Sequence, residues 1–592
     1  MRLPATAIVA VSLAACSVSM SSREQLEGTR NSCEHDAECG EGRCSAGTCT
    51  APSTTFAQVL LEVVPSASSA VYTGVQFLQD LTVPAQGPLD VPLGPLAVVE
   101  GEVRLDEMAP STCPQRVPAT VTFVPTRRLL GLSSYSYSAQ TDGNHRFSLE
   151  LPAGDYNIYA RPAPTESSDC VAVPQLYRNQ TIGAARVELM LTQAPPSKLD
   201  ITIEWRPDQT QSLDGWTLDI IDRTTSKVLS NEVLLGSPIE DEDLLKYSAE
   251  LRYAPVVGDP NDVTGQELVR LRPPEDTVAP TFLMVREGLE IFSVGEAVVG
   301  QLKALPPPVE VEWVVDTAEE EGDIEPVPAN VTLLATEISG LEDVVLASFR
   351  QEVTADAQGR FRARLFPGKY RLHVVPPAGS GLAAGEKEEE ISAVGEYQAG
   401  RHISLRRAAP LVGSAVVSWM GQPAVGADVQ AVPVPRAERY DALQTQLGQE
   451  PFLPRATAQQ LGPDGVFALQ ADPGHFHVQV RPSQQSGLPW FVHQDIFVAQ
   501  EEGCDVGRID LTLPSVHDGQ LSLPGQGAAD DQGLPNALIR AFVYVDVERN
   551  VTSDARTAAS VVQVGETRSD ADGRFSLMLP TAIGDGRSLC PP

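Results

Sequence analysis

A chain of 592 residues exceeds what one hydrophobic core organises, and at roughly 150 residues per domain it divides into about four units. Its 42% hydrophobic and 20% charged content is globular and excludes wholesale disorder, while 48 prolines and 46 glycines favour strands and turns over helices. Acids outnumber bases 78 to 43, for a formal net charge of −35; this field repels phosphate backbones, so nucleic acid is not an expected partner and the acidity reads as a solvated surface.

Residues 1–15 carry one cation, Arg2, then an apolar run from Ala5 to Ala15 that is too short to cross a bilayer core of about 30 Å as a helix. That pattern is an export signal. Leu13-Ala14-Ala15-Cys16 resembles the bacterial lipobox, where small residues before cysteine admit the lipoprotein signal peptidase and the thiol takes a diacylglycerol. The resemblance implies that Cys16 is the lipidated first residue of the mature chain, that residues 16–32 form a polar tether, and that a membrane is a partner through the lipid. Several buried acyl chains at about 0.8 kcal/mol per CH₂ make such an anchor effectively permanent. Ser17, rather than an acid, follows the cysteine, which by the enterobacterial pattern implies the outer membrane. No later segment reaches the about 18 uninterrupted apolar residues that a spanning helix needs.

Residues 33–50 hold Cys33, Cys39, Cys44 and Cys49 in a stretch too small and polar to bury a core. In an exported chain these read as two disulfides, with three connectivities open. A Cys₄ zinc site lacks its paired C-x₂-C knuckles here. The stretch resembles the Dickkopf-like or EGF-like modules that follow the lipobox in lipoproteins of myxobacteria and their relatives, and so implies an extracellular spacer or contact site. His35 and Glu38 form an H-x-x-E pair with no sheet to support it, which reads as coincidence.

Residues 54–98, with VLLEVV and LDVPLGPLAVV, look like strands that either pair with the first downstream domain or form a small extra one. Beyond them a hallmark recurs: TDGNHRFSLELPAGDYNIYARP from Thr141, TADAQGRFRARLFPGKYRLHVVP from Thr354, GPDGVFALQADPGHFHVQVRP from Gly462 and SDADGRFSLMLP from Ser569. Asp with Gly makes a turn, Phe-x-Leu alternates inward, Pro-Gly breaks the strand and Tyr-x-Val alternates again, which is a half-buried antiparallel sheet. Phe147 and Phe361 stand 214 residues apart, whereas Phe361 to Phe467 is 106 and Phe467 to Phe575 is 108, so one degenerate copy is expected between about 197 and 293. Each clear copy opens on a glycine, read as Gly101, Gly300, Gly413 and Gly519, followed by a second strand such as VPATVTFVP or LPNALIRAFVYV.

The ordered pattern G-x-V, P-x-x-x-V, D-G-x-F-x-L, P-G-x-Y-x-V resembles the carboxypeptidase-regulatory-like, transthyretin-like β-sandwich. The resemblance implies an all-β chain of tandem antiparallel sandwiches at 99–193, 197–293 (degenerate), 294–408, 410–514 and 515–592. The last is expected to be incomplete, since only 17 residues follow Phe575, so that either the chain is truncated or this edge pairs with something else. In the family these sandwiches lack catalytic apparatus and serve as stalks or adhesion modules. Cys113 and Cys170 bracket the sheets of one repeat and are expected to pair, while the pairing of Cys504 with Cys590 is left open.

Nucleophile-elbow, zinc-protease, phosphate-loop and dinucleotide fingerprints are all missing. His475 and His477 share one strand face without an evident third ligand and read as solvent-facing, and Asp570, Asp572 and Gly573 imitate a calcium loop that lacks its twelfth-position glutamate. No catalytic residue, cofactor or metal is therefore expected. Asn179, Asn330 and Asn550 match glycosylation acceptors that a bacterial host leaves unused. The expected function is a non-catalytic surface scaffold that contacts an envelope protein or polysaccharide. The alternative is carbohydrate binding by Trp419 or Trp490, and for these rings a core-capping role is the simpler expectation.

Overall fold

The computed structural model describes residues 31–590 apart from short gaps and the longer segments 52–57, 83–88, 106–112, 127–134, 164–171, 207–211, 258–266, 286–296, 319–323, 435–451, 524–532 and 546–559. The described residues form many short strands and two 3₁₀ turns. They build one sandwich topology five times.

In the first sandwich the seven strands are Leu96–Leu105, Ala119–Pro125, Tyr137–Gln140, Arg146–Pro152, Gly154–Pro162, Gln175–Ile182 and Val187–Gln193. The first strand lies between the fourth, antiparallel, and the seventh, parallel. The second lies between the third and the fifth, with the sixth outside the fifth. The same order recurs over 197–303, 309–405 and 409–511, the degenerate copy included.

Why these sequences choose this arrangement is visible where the hallmark phenylalanine crosses the opening strand. Phe147 pairs with Gly101, Phe467 with Gly413 and Phe575 with Gly519. The ring lies across the bare glycine: a Cβ at Gly101 would stand 2.7 Å from Phe147 Cζ, at Gly413 2.7 Å from Phe467 Cζ and at Gly519 2.5 Å from Phe575 Cζ. Each buried ring contributes about 1.5–3 kcal/mol by leaving water. On the next strand the Tyr156 hydroxyl donates to the Pro152 carbonyl at 2.6 Å, and Tyr370 does the same to Phe366 at 2.9 Å, closing the Pro-Gly corner.

The third sandwich departs from the expected register. Gly300 does not open it; Ala297–Lys303 is the closing strand of the second sandwich, parallel to Ser197–Arg206. The third opens instead at Val309–Thr317, where Trp313 takes the glycine's place and stacks on Phe361 with ring centroids 5.1 Å apart. A Gly-x-Leu tripeptide fits either end of a sandwich, and pairing alone decides which. The boundaries therefore move from 293 and 294 to 303 and 309.

The closing strands are missing from 515–592, as expected, and of the two explanations left open its edge pairs with another part of the chain, which makes the fifth sandwich complete. Its first four strands are Ser515–Ser522, Leu538–Val545, Ser560–Arg568 and Arg574–Leu579. The fifth, sixth and seventh come from the other end of the chain: Gln58–Val64 pairs with Leu538–Val545, Gln76–Thr82 flanks it, and Leu89–Pro92 runs parallel to Ser515–Ser522. Residues 54–98 thus neither join the first sandwich as an added sheet nor stand alone, although their last strand, from Leu96, opens the first sandwich. Val59, Leu61 and Val63 enter one core with Ile539, Phe575 and Leu577. Because this sandwich connects directly to the first through 93–95 and to the fourth through 512–514, the five sandwiches form a closed cycle rather than an open string.

Candidate functional site: the junction that closes the cycle

The two chain ends meet around a buried carboxylate. Glu62, 1% exposed, accepts from Arg540 Nη1 at 3.2 Å and from the Tyr135 hydroxyl at 2.9 Å, so one side chain links both halves of the fifth sandwich to the first. Beside it the Tyr137 hydroxyl donates to the Val75 carbonyl at 3.1 Å, and burial pushes that phenol up to about 12.

The cysteine module docks nearby. Its pairs are Cys33–Cys44 and Cys39–Cys49, so all four sulfurs are oxidised and offer no thiolate to a metal. Asn31, assigned from sequence to the tether, is a buried peg: its Nδ2 donates to the Cys49 and Gly487 carbonyls, both at 2.8 Å. Its backbone amide donates to Ser486 O at 2.6 Å, and the Ala51 amide donates to Pro514 O at 2.8 Å. Trp419 packs between the module's cysteines and the core of the fourth sandwich. The module is therefore seated on the fourth sandwich and its outgoing linker. His35 is exposed and Glu38 accepts from the Glu34 amide at 2.9 Å, a turn contact that leaves no H-x-x-E site.

At the far end Cys504 pairs with Cys590, tying the C-terminal residues to the closing strand of the fourth sandwich. Gly584–Asp585 adds to that sandwich's other sheet, parallel to His493–Gln494. Cys113 is disulfide-bonded, and Cys170 lies outside the described residues, as does Cys16.

Between the fourth and fifth sandwiches a cleft of about 370 Å³ is lined by Asp428, Gln430, Arg481, Trp490, Glu566 and Met578 among others. The Arg481 guanidinium lies 4.4 Å from the Trp490 ring centroid, and burial pushes Arg481 down to about 10. Gln484 Nε2 donates across the junction to Thr567 Oγ1 at 2.6 Å.

The remaining candidates resolve as structure. His475 Nδ1 meets Asp495 Oδ1 at 2.8 Å. His477 is buried rather than solvent-facing, accepts from the Asp495 amide at 3.3 Å, and is held down at about 4 by burial. Asp570 Oδ1 accepts from the amides of Asp572 and Arg574, at 2.9 and 2.8 Å. Asp142 and Asp356 repeat that turn in their own copies. The Arg146 and Asn144 amides hold the Asp142 carboxyl below its ordinary value. Asn550 lies outside the described residues.

Sequence reasoning missed the charges that join the sandwiches. Arg178 Nη2 meets Asp222 Oδ1 at 2.5 Å between the first and second. Arg455 grips Asp472 at 2.7 Å and donates to the Leu382 carbonyl at 2.7 Å between the fourth and third, while the Ala384 amide donates to Asp472 at 2.8 Å. Between the second and third the joint is backbone: Thr281–Val285 pairs with Val345–Ser348. No helix among the described residues is long and apolar enough to cross a membrane.

No family model matches the chain, and no curated protein is similar to it. Among solved structures, the streptococcal ancillary pilin is 11% identical with a TM-score of 0.18, over 53% of this chain and 99% of that one. The Bacillus anthracis TIE protein is 13% identical with a TM-score of 0.16, over 71% and 74%. BcpA, the major pilin subunit of Bacillus cereus, is 10% identical with a TM-score of 0.14, over 53% and 100%. Likeness of this degree adds nothing to the all-β character that strand pairing already establishes.

Proposed function

We propose that the chain is a non-catalytic scaffold of the cell envelope, held to a membrane by a lipid on Cys16, whose cycle of carboxypeptidase-regulatory-like sandwiches presents loops to an envelope protein or polysaccharide. The observation that supports this most is where the buried ionisable groups stand. Glu62 with Arg540, Asp222 with Arg178 and Asp472 with Arg455 each bridge a junction within or between sandwiches. Enzymes gather their working acids and bases in one cleft; these three pairs instead fasten modules together. The repeated aspartates and aromatics are likewise committed to turns and cores.

Membrane fractionation of wild type and Cys16→Ser tests the anchor: wild type is expected with membranes and the variant in the soluble fraction. A variant that stays with membranes removes lipid as the tether. Pull-down from solubilised envelope is expected to recover a protein or polysaccharide. Turnover in a broad substrate panel, abolished by one substitution, would overturn the non-catalytic reading.

One observation favours carbohydrate as the polysaccharide-side ligand: Trp490 lines an open cleft beside carboxylates and amides that can bond hydroxyls. A glycan array that reads signal from wild type and none from Trp490→Ala supports this, and a silent array removes it.

A further inference from the structure

Among the described residues, four sandwiches take their seven shared-topology strands from one continuous span each, whereas the fifth takes its seven from two distant parts of the chain. Its halves are fixed on opposite sides. The N-terminal half runs into the first sandwich after three residues, with Phe77 and Tyr135 ring centroids 5.7 Å apart and Tyr137 bonded to Val75. The C-terminal half follows the fourth sandwich and is held there by Gln484 on Thr567 and by the strand Gly584–Asp585, beside Cys504–Cys590.

The halves themselves meet without a covalent bond among the described residues. Cys33–Cys44 and Cys39–Cys49 lie wholly on the N-terminal side, and Cys504–Cys590 wholly on the other. Among the described residues the seam is crossed by two strand ladders, the core that Val59, Leu61 and Val63 share with Ile539, Phe575 and Leu577, the Glu62–Arg540 pair, Trp419 against the cysteine module, and the docking of Asn31 and Ala51 on Gly487 and Pro514. Residues 31–92 are thus one donor unit and the C-terminal half with the fourth sandwich is one acceptor.

If the seam opens, the chain carries complementary ends that point at different partners. Nothing in the ladder requires donor and acceptor to belong to one molecule, because every contact across it can form equally well in trans. A donor at one end and an acceptor at the other is a heterologous pair, which propagates head to tail. We propose that this seam is also an intermolecular joint: residues 31–92 of one copy complete the fifth sandwich of a second copy, giving head-to-tail oligomers of this chain. The inference does not depend on the lipid anchor or on any ligand of the scaffold. Since closed and exchanged forms share their contacts, concentration decides between them. While exchange is the minor outcome its share rises in proportion to chain concentration, so it is expected to grow about tenfold between about 10 µM and about 100 µM.

Val63 and Ile539 are Cα partners across the seam, so a cysteine at each reports the pairing. In full chains carrying Cys16→Ser, one population with Val63→Cys and another with Ile539→Cys are unfolded in denaturant with their disulfides intact, mixed, refolded and oxidised. A disulfide-linked heterodimer that grows about tenfold over that concentration range, above the level given by either variant alone, is the expected result. The double variant must cross-link within one chain, which shows that the site tolerates cysteine. An intrachain bond there with no heterodimer at any concentration overturns the proposal. Failure of the intrachain bond overturns it too, because the pairing on which it rests would be wrong.

Discussion

Leu61→Ala puts the closure of the cycle under direct load. Leu61 lies fully buried on the N-terminal strand, paired with Ala541 on one side and Leu78 on the other, in the same core as Ile539 and Phe575. Truncating a buried leucine costs about 2–5 kcal/mol through lost transfer energy and the cavity left behind. At about 1.4 kcal/mol per decade, opening of the fifth sandwich becomes roughly 30- to 4,000-fold more frequent. Hydrogen exchange followed by mass spectrometry reads this locally. Peptides covering 538–545 and 574–579, nearly 480 or more residues away in sequence, are expected to exchange faster by that factor, while 146–152 in the first sandwich stays protected. Faster exchange confined to 58–64, with 538–545 unchanged, would refute the shared core.

Other expectations follow from single contacts. Tyr156→Phe and Tyr370→Phe each remove one corner hydrogen bond and should lower the stability of their own sandwich by about 1 kcal/mol in urea titrations. Gly359→Ala should cost more than about 1 kcal/mol, since its φ of +69° is left-handed and a Cβ would crowd Val327 N at 3.2 Å. His477 has a folded-state pKa of about 4 against an ordinary 6.5, so the native state favours the neutral ring. Its contribution is whole above about pH 6.5 and is lost as pH falls toward 4, by about 3 kcal/mol; His477→Gln should flatten that part of the Tm profile. Burial raises the Asp472 carboxyl, but Arg455 and the surrounding amides outweigh it and hold it below its ordinary value. The joint between third and fourth sandwiches should therefore loosen in acid, with exchange at 382–384 rising, and Asp472→Asn should show that looseness at neutral pH.

What could be read from the sequence was whatever one segment specifies by itself. Phe147, Phe361, Phe467 and Phe575 all fall on strands and are buried, because Asp-turn, Phe-x-Leu and Pro-Gly are local signals with a local physical cause. The degenerate second copy was legible only as a doubled spacing; Tyr247 fills the phenylalanine position, opposite Ile203 rather than glycine. The completion of the fifth sandwich left no periodic trace, since its two parts lie some 450 residues apart and the Phe-bearing strand stays with the C-terminal part. A signal did exist: the N-terminal segment offers strands, VLLEVV among them, that no copy of the hallmark claims. Pairs such as Glu62 with Arg540 had no signature, as ordinary surface charges become a buried joint only after the ends meet.

Spin labels at Pro92 and Arg574 measure the closure itself. These positions lie on strands that flank Ser515–Ser522, opposite Ser522 and Gln520, so their backbones should stand two strand spacings apart and two residues offset, about 12 Å. A narrow distance distribution below about 25 Å, label arms included, is the expected result in the dilute monomer; a broad distribution centred beyond about 40 Å would contradict the closed cycle.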